Sequence, residues 1–104
     1  MNNKMSKYFR VLSNPVRFKI FLDILDTACE SCMDCDDISD NCVTRISKML
    51  RIPQPTVSNH VKALMQAGLV ESKRKGKNIY LFPSKQFGTG ISDFSQYVIE
   101  KLAN

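Results

Sequence analysis

Residues 54–70 read QPTVSNHVKALMQAGLV. Val57, Val61, Leu64 and Met65 recur at the spacing that gathers side chains on one helix face, and Gly68 follows where helices commonly end. Pro55 is tolerated in a first helical turn. The wheel turns Pro55, Asn59, Lys62 and Gln66 away from that face, with Thr56 and Ser58 to either side, so the outer surface is polar and holds no acid. Just upstream, Val43, Ile46, Met49 and Leu50 mark a shorter helix that Arg51-Ile52-Pro53 breaks. Two short helices joined by a tight turn make a helix-turn-helix.

Beyond Gly68 the apolar period changes from helical to two. Residues 69–72 and 78–82 read as strands around Lys73-Arg74-Lys75-Gly76-Lys77, a hairpin with four bases and one glycine at its tip, which is a wing. On the other side, Ser13 and Asn14 precede Pro15, and Val16, Ile20, Phe21, Ile24 and Leu25 predict a helix over roughly 15–27. Met5, Tyr8, Phe9 and Leu12 predict a first helix over about 4–12, held by partners rather than by its own propensity. Ile91, Phe94, Val98 and Leu102 predict a terminal helix over about 90–103. The expected fold is mainly α with a small β-hairpin, a winged helix-turn-helix in the order α-α-α-α-β-β-α. The 104 residues suffice for one hydrophobic core, so 1–104 is read as one domain.

Charge is spread unevenly. Asp26, Glu30, Asp34, Asp36, Asp37 and Asp40 are six of the ten acids, and no Lys or Arg occurs between Lys19 and Arg45. The rest of the chain sets all 15 bases against the other four acids, a footprint for a polyanion. Gln54, Thr56, Ser58 and Asn59 can donate and accept hydrogen bonds at base edges in a major groove. Lys62, Lys73, Arg74, Lys75 and Lys77 suit phosphates or a narrow minor groove of double-stranded DNA. His60 lies beside the apolar face, where packing or a phosphate contact suits it better than a metal. With no run of ~18 apolar residues and no signal segment, the expectation is a cytoplasmic protein without a membrane partner. One histidine and a charged cysteine segment make no catalytic constellation, so no enzyme is expected.

The stretch LSNPVRFKIFLDIL (12–25), with CVTRISKMLRIPQPTVSNHVKALMQAGLVESKRKGKNIYLF (42–82), resembles the ArsR family of winged-helix repressors, most diagnostically in residues 54–61 and 67–70. The resemblance implies a homodimer built from the first and last helices that occupies an operator and releases it on binding an effector. Members that sense soft metals often carry Cys-Val-Cys where this chain reads Cys42-Val43-Thr44. The family's alternative site on the terminal helix uses histidine and carboxylates, and residues 88–104 hold only Asp93 and Glu100.

Set apart from that pattern is an insertion over residues 28–42 with all four cysteines, Cys29, Cys32, Cys35 and Cys42, and five acids. Thiolates are soft, compact donors, and cysteines three apart converge on one ion from a helical turn or tight loop. Zinc would take all four, trivalent arsenic or antimony three. The interleaved acids raise thiol pKa values, which disfavours a reactive thiolate and suits a neutralising cation. A redox or persulfide switch, an iron–sulfur cluster, and a structural zinc in a winged-helix protein-interaction module stand as alternatives. Cys42 departs from the cysteine spacing usual for ferredoxin-type clusters.

Overall fold

Asn14 starts the central helix as a side-chain cap: its Oδ1 accepts from the backbone N–H groups of Val16 and Arg17, both at 3.0 Å. The computed structural model describes residues 3–27, 42–75 and 78–103. Within them the order is α1 (Asn3–Leu12), α2 (Pro15–Thr27), α3 (Cys42–Leu50), α4 (Gln54–Gln66), β1 (Val70–Lys75), β2 (Asn78–Pro83) and α5 (Lys85–Leu102). This is the expected winged helix-turn-helix. Among the described residues no helix is long and apolar enough to cross a membrane.

The core lies where α2, α4 and the base of the hairpin meet. Ile20 and Ile24 of α2, Ile46 of α3, Val57 and Leu64 of α4, and Leu69 are fully buried. Each such side chain contributes about 1.5–3 kcal/mol by leaving water. Helix α1 adds Met5 and Tyr8, and α5 is tied on through Phe87, whose ring meets Tyr8 at 5.0 Å and Phe21 at 5.4 Å, both edge to face.

Both helices of the helix-turn-helix end in a left-handed residue followed by a backbone bond that reaches five residues back. After α4, Gly68 has φ 80°; its N–H donates to Met65 O at 3.0 Å and the Leu69 N–H to Leu64 O at 2.9 Å. That is a Schellman ending, with Leu64 and Leu69 both buried. After α3, the Ile52 N–H donates to Ser47 O at 3.1 Å, and the left-handed residue is Arg51, with φ 57°. The Ser47 hydroxyl donates to the Ile52 carbonyl and braces the turn.

Two boundaries differ from the sequence reading. The terminal helix begins at Lys85, because the Ser84 hydroxyl accepts from the Gln86 N–H at 3.2 Å and Phe87 anchors the first turn; Gly88 and Gly90 dilute the helical pattern there. The strands pair antiparallel from Val70↔Pro83 to Lys75↔Asn78, so Lys73, Arg74 and Lys75 belong to β1 rather than to a loop. Gly76 and Lys77 lie outside the described residues, as do Cys29, Cys32 and Cys35 with the rest of 28–41.

Candidate nucleic-acid interface

The face of α4 is sorted by its own periodicity. Val57, Val61 and Leu64 are buried, while Gln54, Thr56, Asn59 and Lys62 are exposed and Ser58 is half-buried. The base-reading candidates thus share the solvent side of one helix that carries no acid. Gln54 has a second engagement: its Nε2 donates to Thr44 Oγ1 on α3 at 3.3 Å, across the turn.

The wing follows α4 directly through Gly68 and Leu69. Lys73 and Arg74 are exposed. They stand opposite Tyr80 and Ile79 in the ladder, and because successive strand side chains point to opposite faces, the two bases do not share a side. Lys75 closes β1 opposite Asn78. Lys77 falls outside the described residues.

Helix α3 is joined to α2 by Arg45, whose guanidinium reaches Asp23 Oδ2 at 3.0 Å, with the Asp23 side chain only 12% exposed. Cys42 opens α3, so this ion pair stands one turn from the single cysteine whose backbone is described. Among the described residues no three His, Cys, Asp or Glu side chains converge as a metal site.

A further residue, Arg17, escaped the sequence reading. It sits in the first turn of α2, where a cation opposes the helix dipole. Its guanidinium is turned elsewhere: NH1 donates to Val11 O in the last turn of α1 at 3.0 Å, and Nε donates to His60 Nδ1 on α4 at 3.4 Å. Burial, and then the Arg17 charge, lower the His60 pKa from its usual 6.5. The misfit of a base in an N-terminal turn was the available signal.

On the other side, α5 has no fully buried residue. Ile91 and Phe94 are half-buried against the core, Phe94 meets Phe9 of α1 edge to face at 5.5 Å, and Leu102 is 80% exposed. Phe9, Tyr97 and Ile99 are exposed as well, so α1 and α5 both present apolar side chains to solvent.

Comparison with known proteins gives this geometry a family. The sequence profile described as "Bacterial regulatory protein, arsR family" matches residues 36–72. The HTH-type transcriptional repressor SmtB of Mycobacterium tuberculosis is 34% identical over 70 residues, covering 67% of this chain and 43% of that protein. The arsenic resistance transcriptional regulator ArsR1 of Pseudomonas putida is 30% identical over 70 residues, covering 67% of this chain and 53% of that one. The match thus spans about half the length of these relatives. Among solved structures, the homodimeric winged helix-turn-helix DNA-binding domain of a possible ArsR-family regulator from Mycobacterium bovis superposes with a TM-score of 0.64 at 19% identity, covering 97% of this chain and 82% of that one.

Proposed function

Because this chain belongs to the arsR family of bacterial regulatory proteins, we propose that it acts as a dimeric repressor whose operator binding responds to a thiolate-bound metal or metalloid. Helix α4 enters the major groove, where Thr56, Ser58 and Asn59 meet base edges and Gln54 offers the amide oxygen that its bond to Thr44 leaves over. Lys62, Lys73, Arg74, Lys75 and Lys77 hold the backbone phosphates. The observation that carries this reading is the exposed, acid-free polar face of α4 beside a basic hairpin.

The dimer forms through α1 and α5, which leave Phe9, Tyr97, Ile99 and Leu102 exposed. The M. bovis domain of the same fold is described as homodimeric. Two copies related by a two-fold axis would read half-sites about one helical turn, or a multiple of it, apart.

Cys29, Cys32, Cys35 and Cys42 supply the ion's donors. Four thiolates within fourteen residues fit a soft ion of three or four ligands. When bound, the ion would neutralise the thiolates and tie Cys29, two residues past α2, to Cys42 at the start of α3. The name of ArsR1 makes arsenic a first candidate beside zinc.

Selection of duplexes from a random pool, followed by release assays with zinc and with arsenite, tests the whole reading. A palindromic consensus released by one of these ions supports it. Metal content without any selected sequence points to a structural zinc in a protein-interaction module, and release only on oxidation, persulfidation or loss of acid-labile sulfide points to the other thiol chemistries. Cys42→Ser separates signal from staple. An unchanged melting temperature with lost response identifies a sensor, and a large drop identifies a structural site.

A further inference from the structure

Helix α4 is held from below by Val57, Val61 and Leu64, all fully or almost fully buried. Such apolar contacts are non-directional and tolerate small rotations about the helix axis. A hydrogen bond is directional. From α2, α4 receives such a bond in its middle, the Arg17 Nε donation to His60 Nδ1 at 3.4 Å. The same guanidinium is fixed by its 3.0 Å bond to Val11 O, and that carbonyl lies on α1, which also carries the exposed Phe9. One planar side chain therefore touches the end of α1, the start of α2 and the middle of α4.

Resting on the DNA-binding reading above, we infer that Arg17 is a positioning residue for DNA recognition: through His60 it sets the rotation of α4 against α1 and α2, and it does so only while His60 accepts its hydrogen bond. An imidazole nitrogen accepts only when unprotonated, so the bond requires neutral His60 with its proton on Nε2. Protonation would convert the acceptor into a donor and set two cations against each other.

Among the described residues, the other charged groups on the neighbouring elements are engaged elsewhere or exposed. On α3, Arg45 is turned to Asp23 of α2 at 3.0 Å, and Lys48 is exposed. On β1, Glu71, Lys73 and Arg74 are exposed, as is Lys62 on α4 itself. Burial first, and then the charge of Arg17, lower the histidine's pKa. The unfolded chain therefore takes up the proton first. The stabilisation is complete above the unfolded value of 6.5 and declines as the pH falls through it toward the lowered folded value. His60 is the only histidine in the chain, so no other imidazole titrates in this window.

The test uses the full chain and a fluorescent duplex that the wild type has selected from a random pool, beside an unselected duplex of equal length, at pH values of about 7.5 and 5.5 that bracket imidazole titration. The wild type should lose about fivefold or more of its affinity for the selected duplex on acidification, a typical size for a coupling between sites. His60→Asn, whose Oδ1 offers an acceptor near the place of Nδ1 and takes no proton, should bind like the wild type at the higher pH and keep that affinity at the lower. Arg17→Gln should bind weakly at both, with the wild-type salt dependence. A slope reduced by about 0.9 in Arg17→Gln would make Arg17 a phosphate contact and overturn the inference. Acid weakening of His60→Asn equal to that of the wild type would overturn it as well. Should Arg17→Gln fail to fold, the comparison of His60→Asn with the wild type decides alone. If the wild type selects no duplex, the DNA-binding reading fails before any variant is made, and this inference falls with it.

Discussion

The two left-handed helix endings make a paired perturbation, because one carries glycine and the other does not. Gly68 has φ 80°, and a methyl group added there would meet nothing within 4 Å. The cost of Gly68→Ala is therefore conformational alone. A left-handed non-glycine residue costs about 1–2 kcal/mol. The reduced freedom of the unfolded chain returns about 0.4–1 kcal/mol. The net is a destabilisation of about 1 kcal/mol. Arg51, with φ 57° at the equivalent position after α3, inverts the sign. Arg51→Gly should stabilise by about 1 kcal/mol, and Arg51→Ala, which keeps the strain, should sit near zero. In a domain of this size each step corresponds to about 5 °C in melting temperature. Urea unfolding at fixed protein concentration, with unchanged slope, is the measurement, since association alters apparent stability. A neutral Gly68→Ala together with a destabilising Arg51→Gly would show that backbone strain is not what distinguishes these two turns.

Asp23→Asn should destabilise the fold by about 1.5–3 kcal/mol in chemical unfolding, because the Arg45 guanidinium loses a charged partner 3.0 Å away in a largely buried place. Replacing Lys73, Arg74, Lys75 and Lys77 by alanine should reduce affinity for all duplexes alike and flatten the salt slope by up to about 0.9 per lost phosphate contact. Asn59→Ala should alter sequence preference by about 1–3 kcal/mol per lost base contact, and equal behaviour of helix and wing variants in binding titrations would refute that division. Ile99→Glu, at a position already 56% exposed, should leave the fold intact and shift sedimentation from dimer to monomer. A wild-type chain that sediments as a monomer at micromolar concentration would remove the dimer itself.

Most of the scaffold was legible because its signals are local. Asn14 and Pro15 mark the start of α2 through atoms two or three residues apart. Gly68 marks the end of α4 through its own φ, and the exposed face of α4 follows from its period. The start of α5 was hidden, since Gly88 and Gly90 weaken the local pattern and Phe87 is useful only where Tyr8 and Phe21 meet it. The wing bases read as a loop because nothing local to them reveals that β1 pairs as far as Lys75.

The family and the kind of surface it presents were thus set by the sequence alone: the spacing of apolar residues determines which side of α4 is buried, and the other side, Met65 and Pro55 apart, is polar or basic. Tertiary structure decided the partners of the charged groups. Arg17 and His60 are 43 residues apart, Asp23 and Arg45 join two helices separated by the cysteine segment, and Arg51 accepts a left-handed turn because Ser47 and Ile52 close around it. Such pairings depend on helix packing geometry, which no short window of sequence contains. Hydrophobic periodicity survives in one dimension because burial is a property of each residue's side of its own helix, whereas a hydrogen bond between helices exists only once both have been placed.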